Sequence, residues 1–246
     1  MKTRDVTING VRSPVYDSGP ETNDEAVVFV HGNPGSMRDW ADLMDRVSPF
    51  CRAIAMDMPG FGRADKPIDF PYNVDGYAEH LQGLLDALGV RRVHLVLHDF
   101  GGPWGLQWAA AHPEALASAT LLNTGAFLDY TWHFMAQIWR TPKLGELCMA
   151  ITTRTAWNLL LKIGNPRGLP NEAAARMFDD FDPATRQAVL KLYRATSDPS
   201  GTGYAQCRAL RPYKRPALVV WGKSDIYLPY KKLAERQREA FPDAEI

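Results

Sequence analysis

The chain has 246 residues, 46% hydrophobic and 23% charged, and its 28 basic and 28 acidic side chains balance to a formal net charge of zero. That size and balance fit one α/β domain with an insertion. They give no electrostatic reason to expect nucleic acid or a membrane as partner, and no apolar run approaches the roughly 18 residues that span a bilayer. The three cysteines, Cys51, Cys148 and Cys207, are scattered without metal-ligand spacing. Their odd number argues against a disulfide framework and makes a reducing cytoplasm the expected location. Residues 1–10 lack the apolar stretch of a signal peptide.

Taken in order, the chain opens with a predicted hairpin. Val6 and Ile8 alternate with polar residues, Asn9-Gly10 is a favoured two-residue turn, and Val11 and Val15 continue beyond it. Residues 26–30 are an apolar run suited to a strand buried on both faces. It ends in His31-Gly32-Asn33-Pro34-Gly35-Ser36, a loop that either offers backbone N–H groups to a ligand or is a plain turn. Residues 37–47 read as a helix with Trp40, Leu43 and Met44 on one face. A strand over 52–56 runs into Asp57-Met58-Pro59-Gly60-Phe61-Gly62. Residues 75–88 carry helical periodicity through Tyr77, Leu81, Leu84, Leu85 and Leu88, and Gly89 is a good stop.

Val93, Leu95, Val96 and Leu97 then form a strand-length run into His98-Asp99-Phe100-Gly101-Gly102, followed by a helix-friendly pattern over 104–111. This is strand, tight turn, helix, with a carboxylate at the turn. Asp99 has two readings there: a helix N-cap, or an exposed reactive group, because burying an unpaired carboxylate is costly. Residues 118–122 make another strand, ending at Asn123-Thr124-Gly125. Alternating strands and helices predict a parallel, doubly wound sheet with ligand sites beyond the strand C-termini. Asn33, Asp57, Asp99 and Asn123 all fall at such ends.

From residue 128 to 211 the pattern becomes helical and aromatic, with Trp132, Phe134, Met135, Trp139, Met149, Trp157 and Tyr193. Asp182-Pro183 is a cap followed by Pro at the first helical position, and Val189, Leu190 and Tyr193 share a face. This predicts an inserted helical lid whose aromatic stripe is either core or the wall of an apolar pocket. Residues 216–221 resume the sheet, with Gly222-Lys223-Ser224-Asp225 at the strand end. Residues 230–240 read as an exposed charged helix, and 243–246 as the start of a further strand. The expected organisation is a core of residues 1–127 and 212–246 with a lid of 128–211.

The four motifs His31-Gly32-Asn33-Pro34, Asp57-Met58-Pro59-Gly60-Phe61-Gly62, His98-Asp99-Phe100-Gly101-Gly102 and Trp221-Gly222-Lys223-Ser224-Asp225, in this order with a lid between the last two, resemble the Asp-nucleophile branch of the α/β-hydrolase superfamily. That branch includes haloalkane dehalogenases, epoxide hydrolases and haloacetate dehalogenases, and the resemblance covers essentially the whole chain. The superfamily's nucleophile elbow usually reads G-x-S-x-G. Here it is Leu97-His98-Asp99-Phe100-Gly101, with Asp in the nucleophile slot and only the second Gly kept.

The resemblance implies an α/β-hydrolase fold, a mostly parallel sheet with helices on both faces and an inserted lid. It implies attack by Asp99 on an electrophilic carbon to give an alkyl ester. Water activated by a histidine, which Asp225 orients, then attacks the ester, and the N–H groups of Asn33 and Phe100 form the oxyanion hole. No cofactor and no metal are expected. The expected partner is a small apolar substrate, with neither nucleic acid nor membrane, and the chain is expected to be a monomer or homodimer.

The substrate class stays open between haloalkane and epoxide. An Asn at position 33 suits halide binding, but many relatives have Trp where this chain has Phe100, and Trp104 lies about a helical turn further on. Tyr130, Tyr193 and Tyr204 are candidates to protonate an opening epoxide oxygen. The family's catalytic histidine lies beyond the eighth strand, and none of His31, His80, His94, His98, His112 or His133 holds that place. The expectation is either a fragment of a longer protein or a binding protein that keeps the pocket without turnover.

Overall fold

The computed structural model describes residues 3–165 and 167–246. Strands β1 (Thr3–Ile8) and β2 (Val11–Asp17) form the expected hairpin, with Ile8 opposite Val11. Asn9 and Gly10 turn it at φ of 51° and 80°, the pair of positive angles that a two-residue hairpin turn demands. There follow β3 (Glu25–Val30), α1 (Ala41–Val47), β4 (Ala53–Met56), α2 (Val74–Ala87), β5 (Arg92–His98), α3 (Gly101–Ala111) and β6 (Leu116–Leu122). Six helices come next: α4 (Phe134–Arg140), α5 (Leu144–Ile151), α6 (Arg154–Gly164), α7 (Asn171–Asp179), α8 (Pro183–Ala195) and α9 (Pro199–Leu210). The described chain closes with β7 (Ala217–Val220) and α10 (Tyr230–Leu233).

The sheet order is β1-β2-β4-β3-β5-β6-β7. β1 and β2 are antiparallel, β2 is antiparallel to β4, and every pairing from β4 to β7 is parallel. The strand period of two divides the apolar runs between two cores. Val28, Val30, Leu95 and Leu97 face α2 and α3, joining Tyr77, Leu81, Trp104 and Leu106. Phe29, Ala55 and Val96 face the other way, against Met37, Trp40 and Met44. Helices on both faces explain why these strands are apolar throughout rather than alternating.

Two expectations are corrected in detail. Residues 37–47 begin as a 3-10 turn over Met37–Trp40 before α1, and Leu43 is exposed while Trp40 and Met44 are buried. Residues 230–240 are not a free charged helix. α10 yields after one turn to a 3-10 segment, Glu235–Glu239, that buries Gln237. The Gln237 carboxamide brackets Ala126, accepting from its N–H at 2.8 Å and donating to its C=O at 3.1 Å. A buried amide of this kind satisfies loop backbone that no strand reaches. Near the end of the chain Glu245 pairs in parallel beside β7, its N–H donating to Ala217 and its C=O accepting from Val219.

Between β6 and β7 the described residues hold helices and no strand. α4, α5 and α8 pack on one another, whereas α9 packs on α3, with Gln206 donating to the Pro103 carbonyl at 3.0 Å. α8 starts as read, with the Asp182 side chain accepting from the Thr185 N–H at 2.7 Å and Pro183 at the first position. No helix among the described residues is long and apolar enough to cross a membrane.

One buried pair makes the fold pH-sensitive. His80 on α2 lies 2.8 Å from the Ser13 hydroxyl on β2, and both are buried. Burial pushes the imidazole pKa down to about 4. Unfolded, the same group titrates near 6.5, so protons bind the unfolded state more tightly. This contribution to stability is complete above pH ~6.5 and is lost as pH falls toward ~4, reaching about 3 kcal/mol. Urea unfolding at pH 7 and pH 4.5 should show that loss, and His80→Gln should flatten it. An acid limb unchanged in the variant would place its source elsewhere.

Candidate active site

The site is built where β3, β5 and β6 end. Asp99 follows β5 with φ of 50°, in the left-handed region that non-glycine residues seldom adopt. Its carbonyl oxygen accepts from the Gly102 N–H at 2.9 Å and from the Thr124 hydroxyl at the end of β6. The turn is closed so tightly that neighbouring side chains are excluded. A Cβ on Gly32 would lie 2.3 Å from the Asp99 Cβ, and one on Gly101 would lie 2.3 Å from the Val30 carbonyl oxygen. The N-cap of α3 is Phe100, so Asp99 is not its cap. The Asp99 carboxylate instead accepts from the backbone N–H of Asn33 at 2.7 Å. Beside it, the first turn of α3 presents N–H groups with no partner inside the helix and the positive end of its dipole.

The insertion brings phenols to this carboxylate. Tyr193 of α8 is buried, edge-on to Phe100 at 5.2 Å and packed with Trp132 and Trp139. Burial, and then the charge of Asp99, push its pKa well above the ordinary phenol value. Tyr130 is raised by the same two causes in the same order. Tyr227 is raised by burial and then by Asp225. The Asn33 carboxamide faces Tyr193 closely enough to favour that phenol's ionised form, yet neither of its polar atoms makes a hydrogen bond of sound geometry. Tyr204 is elsewhere, bonded to Asp129 at 2.8 Å and to Arg236. Trp104 is fully buried in an aromatic stack, 4.0 Å from Tyr77 and also against Phe61 and Phe100, and its indole N–H has no partner. A narrow crevice of about 10 Å³ lies beside Phe100, lined by Val74, Phe127, Trp132 and Gln206, and Asp99 is not among its walls.

Asp225 is held from two sides. One oxygen accepts the N–H groups of Tyr227 and Leu228, both at 2.8 Å, and the other accepts from the Asn123 side chain. Asn123, at φ of 47° beyond β6, also accepts the Gly222 N–H at 3.0 Å. It is thus the clamp for the loop that carries Asp225. Its place at a strand end marked it in the sequence, but nothing there named its partner.

No histidine among the described residues is hydrogen-bonded to Asp225. His31 is spent on the fold, accepting from the Met58 N–H at 3.0 Å and contacting the Gly32 carbonyl at 2.7 Å. His94 lies between Ser118 and Glu25. His133 is the histidine whose charge feels both Asp99 and Asp225. Burial lowers its pKa, and the two carboxylates oppose that. It caps α4, its Nδ1 accepting from the Ala136 N–H at 3.2 Å, so the neutral ring carries its proton on Nε2. Asp57, also at a strand end, is buried and holds the N–H groups of Met37 at 2.7 Å and Arg63 at 2.8 Å. It has no free oxygen for chemistry.

Residues 25–147 match the model of a family described by the alpha/beta hydrolase fold. A cis-3-alkyl-4-alkyloxetan-2-one decarboxylase of Shewanella oneidensis is 38% identical over 251 residues, spanning 92% of this chain and 75% of that one. A haloalkane dehalogenase of Mesorhizobium japonicum is 29% identical over 225 residues, spanning 83% and 69%. A solved haloalkane dehalogenase from Agrobacterium tumefaciens C58 superposes with a TM-score of 0.84 at 23% identity, covering 100% of this chain and 87% of that one. With the matched segment running through the elbow and the sheet built in the same way, the chain belongs to the alpha/beta hydrolase family.

Proposed function

We propose that Asp99 is the nucleophile of a hydrolase for small apolar electrophiles carrying a strained ring oxygen, epoxides first, with α4–α8 as the lid. The observation that carries this reading is the buried Tyr193 packed edge-on at 5.2 Å against Phe100, the residue after Asp99, where the Asp99 charge acts on its phenol and on that of Tyr130, with Phe100 where a second N–H donor for halide would be needed. An Asp99 oxygen attacks the ring carbon, and the carbon–oxygen bond breaks. Its electron pair goes to the ring oxygen, which takes a proton from a phenol. Any phenol is protonated at neutral pH and so can donate, and burial, which raises these two, makes them weaker acids that give up the proton only to a strongly basic alkoxide oxygen. The product is an alkyl ester on Asp99.

In the second half, water attacks the ester carbonyl, and the N–H groups of Asn33 and Phe100 stabilise the oxyanion. Asp225 is the acid partner for the base that activates this water. The relative named for an oxetan-2-one, another strained oxygen ring, supports the ring-oxygen class. A second reading, haloalkane cleavage, is favoured by the Asn33 carboxamide, whose atoms lack partners and so are free to meet a halide.

The two readings part under mutation. Asp99→Ala should lower single-turnover consumption of either substrate class by about 10⁴-fold or more, because it removes the covalent route. Near-parental rates in that variant would refute the nucleophile assignment. Tyr193→Phe should slow epoxide opening by about 10²-fold or more and spare haloalkanes, whose leaving group needs no proton. If Asn33→Ala slows haloalkane consumption while Tyr193→Phe leaves epoxides untouched, the halide reading replaces the epoxide one.

A further inference from the structure

The insertion carries exposed apolar side chains on two consecutive helices that the site does not use. On α5, Leu144, Leu147 and Ile151 recur along one stripe with 46%, 57% and 64% exposure, while Gly145 and Met149 turn inward. On α6, two residues further on, Leu159 and Ile163 are 60% and 54% exposed, while Trp157 is buried. Each helix is thus apolar on the outside as well as the inside. Large apolar side chains gathered at a protein surface mark an interaction site rather than chance exposure.

The charges around them favour one occupant. Residues 134–169 hold five basic side chains and one acidic one, in a chain whose total charge is zero. The single acid, Glu146, is already held by Arg194 at 2.7 Å. Arg154 is paired with Asp179 and Arg140 is turned inward onto the Tyr193 and Thr196 carbonyls, but Lys143 and Lys162 make no ion pair among the described residues. Two copies of this face pressed together would set lysine against lysine. An anionic surface that also accepts apolar side chains answers both features.

We propose that the outer face of α5 and α6 docks on an anionic phospholipid bilayer, the leucines and isoleucines entering the interface and Lys143 and Lys162 meeting the headgroups. Helices with an apolar face and lysines at its border lie in the interface plane without spanning it. The whole-chain charge conceals this; the adjoining α7 adds Asp179, which Arg154 holds, and Glu172. None of these side chains is a hydrogen-bond partner of Asp99, and the proposal does not depend on the nucleophile or substrate.

Co-sedimentation with vesicles of phosphatidylcholine, with and without phosphatidylglycerol, tests it. The chain should pellet with the phosphatidylglycerol vesicles, less so at high salt, and only weakly with phosphatidylcholine alone. Lys143→Glu/Lys162→Glu, which changes only exposed side chains, should weaken binding by at least about tenfold. Leu147→Ser/Ile151→Ser should weaken it too, with circular dichroism unchanged. No pelleting with anionic vesicles, or equal pelleting with both compositions that the charge variant leaves intact, would overturn the proposal. So would dimers in sedimentation velocity that Leu147→Ser/Ile151→Ser dissolves while vesicles stay unbound, since the occupant would then be a second copy.

Discussion

The hydrogen bond from the Asn33 N–H to the Asp99 carboxylate joins the ends of β3 and β5, and it exists only because the chain turns at Asp99 with a positive φ. A non-glycine residue in that conformation costs about 1–2 kcal/mol. The neighbours are arranged to hold it there. Gly32 and Gly101 leave room that a methyl group would fill, and Thr124 reaches across from β6 to the Asp99 carbonyl. Strain kept by several converging loops is characteristic of a site where a side chain must point in one direction. It places a carboxylate at the start of a helix, against backbone donors, at the open ends of the strands.

The surroundings complement that carboxylate. Buried phenols at Tyr193 and Tyr130 stay protonated, and Phe100, Trp132 and Trp139 pack around Tyr193 as apolar walls. Asp225 is fixed by Asn123 and two backbone N–H groups, so its position does not depend on a histidine. His133 is committed through Nδ1 to capping α4 and is therefore a donor toward the site rather than a ready base.

What could be read from the sequence was what is local. Asn9-Gly10 specifies its turn by backbone angles alone, Asp182-Pro183 specifies a helix start, and the glycines around Asp99 mark close approach. The motif loops lie at strand ends because strand and loop are contiguous in the chain. What could not be read depends on residues far apart meeting. Tyr130, Tyr193 and Tyr227 come together from two sides of the insertion and from the loop after β7. Gln237 finds Ala126 across 111 positions, and the partner of Asn123 is 102 positions away. Among three candidate tyrosines, nothing local set Tyr204 apart, although an Asp129–Arg236 network holds it away from Asp99. Net charge is likewise a sum over the whole chain, and a total of zero does not say how charge is distributed along it.

The central claim is that the Asp99 carboxylate forms a bond to carbon. Intact-mass analysis after exposure to a reactive epoxide or haloalkane, followed by peptide mapping, tests it directly, and the mass itself reports the chemistry. An epoxide adds its whole mass because its oxygen stays attached, whereas a haloalkane adds its mass less hydrogen halide. The account predicts a single adduct on the peptide containing Asp99, at the epoxide mass, in samples quenched with acid during turnover. Turnover without an adduct on that peptide, or an adduct mapped to another residue, would contradict it.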